Sequence, residues 1–299
     1  MEPTSSGYRP ATHRSIDMGA QRIPRRVLQT GLSFVKSNAS HHGLMQNWWT
    51  MNAEYTYSFF SDARALQFVE QHGTHNERAA YRAVRTGAQK ADLFRLLALK
   101  YVGGVYADVD TELRVPLRSI IPANSSAVMG RFWGSEFMAW ERGHPLLVRA
   151  VRTVTSNVLR QVRLIQQGNS SAHCGSPHSC VIVVSGPFAL REAFKTAARA
   201  LGCPLQGLLP RVERTTPAVC PEAVRQVHVC AKDEGNVYRT WACGAAYHWD
   251  CRNSGAKRRC STNHYSRYRG RSAARAFFNI SVVARGRDHS TISPGVRNY

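Results

Sequence analysis

Two acidic side chains, Asp108 and Asp110, follow a short apolar run at residues 105–107. Such a run predicts a buried strand, and in an extended chain residues two apart point to the same side. The two carboxylates are therefore expected to converge just beyond the strand end. Because neighbouring carboxylates repel each other, a hard divalent cation such as Mn2+ or Mg2+ is their natural partner.

The segment before this strand must position the pair. Apolar residues recur at helical spacing over residues 91–98, and Asp92 and Arg95 lie three apart on the same predicted helix. Gly103 and Gly104 are expected to end that helix, because glycine tolerates the left-handed backbone of a sharp exit. A helix, a Gly-Gly exit and a strand that leads into two carboxylates indicate a metal-dependent site.

The stretch ADLFRLLALKYVGGVYADVD, residues 91–110, resembles the sugar-nucleotide-binding core of the DXD-containing glycosyltransferases. It is most similar to glycosyltransferase family 32, that of the yeast initiation-specific alpha-1,6-mannosyltransferase and the inositol-phosphoceramide mannosyltransferases. The run IPRRVLQT, residues 23–30, resembles the first strand of that family. The resemblance implies an α/β fold of the GT-A type, a nucleotide-sugar-binding sheet with helices on both faces.

The same resemblance implies roles for single residues. Asp108 and Asp110 would hold the Mn2+ (or Mg2+) that bridges the donor diphosphate. Asp92 and Arg95 match the helical Asp and Arg near the donor, although a plain ion pair on a helix surface is the alternative. Tyr106 would be buried or stacked near the nucleotide.

Strand ends supply three further candidate donor contacts. Gln29 and Thr30 end the first predicted strand, and polar residues that merely end a strand are the alternative interpretation. Asp62 follows a second predicted strand at residues 55–60, and the carboxyl end of a strand in an open α/β sheet suits ligand contact. Asp62 could equally be the N-cap of a following helix at residues 63–71, and the two roles can coexist.

Later stretches give weaker predictions. Residues 132–140 are rich in aromatic side chains and favour either a sugar platform or core packing, and Glu136 among them could meet an acceptor hydroxyl. Residues 181–184 predict a buried strand. Gly186 follows in a Ser-Gly-Pro turn, which resembles the family's Thr-Gly-Pro turn near the donor sugar but also suits an ordinary strand-to-helix turn. By resemblance, His248 would complete the metal or diphosphate site.

Charge and cysteine content describe the rest of the chain. The net charge is +21 over 299 residues, a field that would attract polyanions or phosphorylated ligands, unless it reflects a general bias toward arginine. All eight cysteines lie between Cys174 and Cys260, and this even count favours disulfides in an oxidising compartment. Three regions are expected: a disordered lead at 1–21, a transferase domain at 22–250 and a basic, cysteine-containing extension at 251–299.

The expected location is the Golgi or secretory-pathway lumen, with the cytoplasm as the alternative. Sequons support the lumen, at Asn38, Asn124, Asn169 and Asn279. The sequence has neither an apolar leader nor a run of 18 apolar residues, so a membrane anchor is expected to be missing from it.

The leading hypothesis is a metal-dependent hexosyltransferase. By resemblance, mannose from GDP-mannose is the favoured donor group, a glycan or glycolipid is the acceptor, and the anomeric configuration is retained. The alternative is a basic polyanion-binding protein on a degenerate transferase fold. If the protein is a glycosyltransferase, nucleic acid is not an expected partner.

Overall fold

A computed structural model of the chain describes residues 21–35, 37, 44–113, 115–130, 135–168, 181, 183–203, 227–230 and 247–249. The predicted lead, apart from Gln21, and the whole predicted extension at 251–299 lie outside the described residues. Of the eight cysteines, Cys203 and Cys230 lie in described ranges, and the disulfides remain a prediction. The three proposed regions are likewise a prediction.

Six of the eight described strands form one mixed sheet, in the order β2-β1-β3-β6-β5-β7. β1 runs parallel to both β2 and β3, β6 runs antiparallel to β3 and β5, and β5 runs parallel to β7. The start of β6 therefore lies at the same edge of the sheet as the ends of β1, β2 and β3. The strands are β1 (Arg26–Gly31), β2 (Thr56–Ser61), β3 (Gly104–Ala107), β4 (Thr111–Leu113), β5 (Ala127–Gly130), β6 (Phe137–Trp140), β7 (Val227–Cys230) and β8 (Tyr247–Trp249). β4 and β8 pair separately.

Helices cover both faces of the sheet, as predicted, and the α/β fold class is confirmed. They are α1 (Leu44–Thr50), α2 (Asp62–His72), α3 (His75–Ala83), α4 (Gly87–Val102), α5 (Pro145–Gln166) and α6 (Pro187–Ala200), with a 3-10 turn at Leu117–Ser119. Side chains alternate along β3, because successive residues of a strand point to opposite faces. Tyr106 joins the core formed with α2 to α6, whereas Val105 and Ala107 join a second core with Trp48 of α1.

Two local predictions are wrong. Residues 181, 183 and 184 are helical, not a strand, and the amide of Gly186 donates to the carbonyl of Val181 at 2.8 Å. The β-branched run that favoured a strand yields here to its surroundings, because strand preference depends strongly on context. The cap of α2 is also one residue earlier than proposed. Ser61 is the N-cap, its side chain accepts from the Arg64 amide, and Asp62 is the first helical residue.

No described helix combines the length and the apolar character that crossing a membrane requires. The longest of them, α5, is amphipathic, with its buried residues along one side and arginines on the other. In the described part of the chain, α5 therefore serves to cover the sheet.

The Gly-Gly exit from α4 is present as predicted, and it makes a sharp stability prediction. Gly104 has a φ of +108°, and a Cβ placed there would lie 2.7 Å from the backbone oxygen of Arg26 on β1. Gly104→Ala is therefore expected to lower the free energy of unfolding by about 2–4 kcal/mol, measured by urea titration, since strain and a backbone clash add together.

Gly143→Ala is the matched control for this prediction. Gly143 also has a positive φ, +70°, but a Cβ there has no heavy atom within 4 Å. The expected loss is about 1 kcal/mol, from backbone strain alone. Equal losses in the two variants would show that the close approach of β3 to β1 has no energetic consequence.

Candidate functional site

The acidic pair lies in a tight turn between β3 and β4. β3 ends at Ala107, and the amide of Thr111 donates to the carbonyl of Asp108 at 3.1 Å. The hydroxyl of Thr111 donates to the same carbonyl at 2.6 Å. The chain is thus turned rather than extended from Asp108 to Asp110, so the prediction of an extended chain here is wrong. Convergence of the two carboxylates on one cation stays a prediction.

The carboxylate of Asp108 is held by a two-pronged contact from Arg95. Nη2 of Arg95 lies 3.2 Å from Oδ1 of Asp108, and Nη1 lies 3.3 Å from Oδ2. Tyr106 donates its hydroxyl to Oδ1 at 2.8 Å, and the Arg95 guanidinium lies over its ring, 4.7 Å from the centroid. The fork fixes the plane of the carboxylate, while the side chain of Asp108 stays 28% exposed and open to a ligand.

Arg95 joins three elements at the buried base of the site. It lies 3.3 Å from Oδ1 of Asp92 and donates to the carbonyl of Ser135 just before β6. The hydroxyl of Ser185 donates to Oδ2 of Asp92 at 3.3 Å. Burial raises the pKa of Asp92 to about 7, although Arg95 acts in the opposite direction. One buried cation thus lies between two carboxylates, that of Asp92 in the interior and that of Asp108, which is partly exposed.

A fourth carboxylate, that of Glu136, lies at the same edge. Its carbonyl accepts the amide of Asp108 at 2.9 Å, which continues the antiparallel ladder beyond the pair Ala107 and Phe137. Residues opposite each other on antiparallel strands project their side chains to the same face. Burial raises the pKa of Glu136 to about 7, and the nearby charges of Asp108 and Asp110 add to the rise. Both acidic residues of the motif therefore lie within electrostatic reach of Glu136.

The two candidate donor contacts on β1, Gln29 and Thr30, are buried and hydrogen-bonded within the protein. Gln29 is fully buried, with Nε2 donating to the Asp108 carbonyl at 3.2 Å and Oε1 accepting from the Tyr57 hydroxyl at 2.7 Å. Thr30 is nearly buried, and its hydroxyl donates to the carbonyl of Phe60 on β2 at 2.9 Å. Direct contact of either side chain with a donor stays a prediction.

The remaining candidates lie around this centre. Asp62 forms an ion pair with Lys90 of α4 at 3.6 Å, with its side chain 39% exposed. Gly186 is the N-cap of α6, next to the serine that bonds Asp92. His248 lies on β8, and its backbone is opposite Glu112 of β4, two residues beyond Asp110. The pairing brings His248 into the neighbourhood of the turn, and its role as a metal ligand stays a prediction.

The chemistry of these residues fits a divalent cation that is held jointly with a ligand. No three His, Cys, Asp or Glu side chains within the described ranges are grouped closely enough to hold a metal ion by themselves. Mg2+ and Mn2+ commonly take one or two protein carboxylates and complete their shell with water and phosphate oxygens. Asp108 and Asp110 are both partly exposed and offer carboxylates of this kind, and their joint role as metal ligands stays a prediction.

A family comparison covers the centre of this site. Residues 38–127 match the model of the family described as "Glycosyltransferase sugar-binding region containing DXD motif". The match supports a glycosyltransferase. It includes Asp92, Arg95, Tyr106, Asp108 and Asp110 and excludes the candidates on β1, at the turn before α6 and on β8. A search of curated proteins finds no match.

Solved structures show a distant likeness. One is titled "PaToxG Glycosyltransferase", at 17% identity and a TM-score of 0.42, covering 69% of this chain and 85% of that one. Another is the ligand-free glycosyltransferase domain from the YGT toxin, at 11% identity and a TM-score of 0.35, covering 56% and 54%. At these values the likeness establishes neither a shared fold nor a shared function.

Sequence reasoning missed several residues that build the site. It gave no role to Tyr57, Thr111 or Ser135, and it left the role of Glu136 open. Tyr57 acts on Gln29 through a contact between two strands, whereas Thr111 bonds the Asp108 carbonyl within the turn itself. Ser135 acts through its carbonyl, which has no signature in a sequence. Glu136 lies beside Asp108 because the strand at residues 137–140 pairs antiparallel with β3. A prediction of that strand and its pairing could have placed Glu136 in the site.

Proposed function

We propose that this protein is a metal-dependent glycosyltransferase that moves a hexose from a nucleotide sugar to a glycan or glycolipid acceptor. The observation that carries the proposal is the cluster of Asp92, Arg95, Tyr106 and Asp108 within the matched segment. Mannose from GDP-mannose, transferred with retention, is the specific form favoured by the sequence resemblance. A luminal location in the Golgi or secretory pathway is part of the proposal, supported by the sequons and the cysteine count.

Asp108 and Asp110 would hold Mn2+ or Mg2+ together with the two phosphates of the donor. When bound, such a cation supplies a Lewis acid that stabilises negative charge on the leaving diphosphate. The protein's part is to hold the Asp108 carboxylate still before the donor arrives. The Arg95 fork and the Tyr106 hydroxyl do this, since both grip the carboxylate from its buried side.

Asp92 and Arg95 would hold the rest of the donor. A carboxylate accepts hydrogen bonds from ribose or sugar hydroxyls, and a guanidinium binds phosphate oxygens. Ser185 keeps one oxygen of Asp92 directed toward the turn before α6. Glu136 lies on the β6 side of the same edge and is a further carboxylate that the donor-holding cluster does not use.

A donor panel tests the proposal. The purified protein with Mn2+ should release nucleoside diphosphate from one of GDP-mannose, UDP-galactose and UDP-N-acetylglucosamine at least about 10-fold faster than from the others. EDTA should abolish the release, and added Mn2+ should restore it. Product anomers assigned by NMR would report whether configuration is retained.

The same experiment also tests the alternative function, a basic protein that binds polyanions. A net charge of +21 suits a polyanion-binding protein. Salt-sensitive binding to heparin or nucleic acid, with no release from any donor on the panel, would favour that function and contradict the transferase.

A further inference from the structure

The amide of Gln29 is committed to the protein at both ends. The side chain is fully buried on β1, with Nε2 bonded to the Asp108 carbonyl and Oε1 bonded to the Tyr57 hydroxyl. An amide group offers two donors on nitrogen and one acceptor oxygen. In this conformation, neither end reaches the surface where a donor would bind.

Only one orientation of this amide satisfies its partners. If it were reversed, Oε1 would face the carbonyl oxygen of Asp108, and two acceptors would meet. Burial raises the pKa of Tyr57 well above its ordinary value, so its hydroxyl keeps the proton that it donates to Oε1. The ring of Trp49 packs against Tyr57 with centroids 4.7 Å apart and holds it in place. The Asp108 carbonyl, which can only accept, thus selects the orientation in which Gln29 donates to it, and Tyr57 supplies the donor that Oε1 then requires.

The carbonyl of Asp108, which accepts this bond, is also the main hydrogen-bond acceptor within the acidic turn. The Asp108 carbonyl accepts from Gln29 and from both the amide and the hydroxyl of Thr111. The Asp108 amide is bonded to the Glu136 carbonyl. Thr111 holds the turn from within, whereas Gln29 ties it to β1 and Glu136 ties it to the chain before β6.

We propose that Gln29 and Tyr57 are positioning residues that fix the main chain of Asp108, and through it the cation-binding turn, without contacting the donor. The inference rests on the proposed function, because it concerns the same turn. It replaces the donor-contact role that the sequence resemblance gave to Gln29. It also adds Tyr57, to which the sequence gave no role.

Mn2+ affinity is the direct readout, measured on the full chain by electron paramagnetic resonance of Mn2+ with and without saturating GDP. Mn2+ and GDP without protein serve as the blank. Gln29→Met keeps the volume and removes both bonds, and Tyr57→Phe removes only the hydroxyl. Each is expected to weaken Mn2+ binding by about 3- to 10-fold, the effect of losing one hydrogen bond. The double variant should match Gln29→Met alone, because Tyr57 acts through Gln29.

The chain offers a matched control pair. Gln21 donates to the hydroxyl of Tyr55 at 3.1 Å, a glutamine–tyrosine pair on the segments that precede β1 and β2, away from the acidic turn. Tyr55→Phe and Gln21→Met should leave Mn2+ affinity within about 2-fold of the wild type. Thermal melting of all variants confirms that each is folded.

The outcomes separate the inference from the proposed function. Wild-type protein that binds no Mn2+, either with or without GDP, would contradict the metal-dependent function itself. Wild type and both variants that bind Mn2+ equally would overturn the inference and leave the function intact. So would a Gln29→Met variant that binds only the sugar nucleotide more weakly, with a silent Tyr57→Phe, because that is the pattern of a donor contact.

Discussion

Asp110→Asn is expected to reduce nucleoside diphosphate release at saturating donor and 1 mM Mn2+ by at least about 100-fold, the scale of losing one preorganised electrostatic group. Asp108→Asn is expected to reduce it as much, because a neutral amide binds a divalent cation much more weakly than a carboxylate does and cannot balance the charge of Arg95. The measurement is kcat on the best donor of the panel. Glu192→Gln, on the exposed side of α6 and paired with Lys195, is the control and should keep full activity.

The Asp108→Asn and Asp110→Asn substitutions should differ in their effect on the stability of the protein. Asp108 forms the fork with Arg95, so its replacement removes a partner from a buried cation. Asp110 lies farther along the turn and is half-buried. Asp108→Asn is therefore expected to lower the Tm more than Asp110→Asn. Activity that survives in both variants, or in EDTA, would rule out the metal-dependent mechanism.

Arg95→Met is expected to cost about 3–5 kcal/mol of unfolding free energy, because it leaves the buried Asp92 and its neighbour Asp108 without a cation. Urea titration measures the loss. Removing one of the two charges should recover part of it, so Arg95→Met combined with Asp92→Asn is expected to be more stable than Arg95→Met alone.

Arg82→Met is the matched control for the role of burial. Arg82 makes the same kind of fork with Glu70, but its side chain is 51% exposed. Water compensates such a pair, and the expected loss is at most about 1 kcal/mol. A similarly small loss for Arg95→Met would show that Arg95 does not stabilise the carboxylates around it. It would also contradict the proposal that Arg95 holds the Asp108 carboxylate in place.

The local part of the site was predictable from sequence. Asp92, Arg95, Tyr106 and Asp108 lie on one helix and the strand that follows it, and the Gly-Gly exit between them has the positive φ angles that the sequence implies. Helical spacing and strand alternation fix the relative directions of such neighbours. For the same reason, the helix at residues 87–102 and the strands at 26–31 and 56–61 lie close to where the sequence predicts them.

The distant part was not predictable in this way. Gln29 meets Asp108 across 79 positions of sequence, and Ser185 meets Asp92 across 93. Strand order and direction decide such contacts, and neither follows from the spacing of residues along one strand. The strand at 137–140 shows the difficulty, because its four buried residues have no alternation to mark them.

The fork between Arg95 and Asp108 spans 13 positions of sequence and lies within a single helix–strand unit. Because the carboxylate and the guanidinium that pairs with it lie in the same unit, the ion pair does not depend on residues elsewhere in the chain. The neighbours of this unit are then free to diverge, provided that they cover its apolar sides. Among distant homologues, sequence identity is accordingly expected to be retained within residues 87–110 and lost over the strands and helices that surround them.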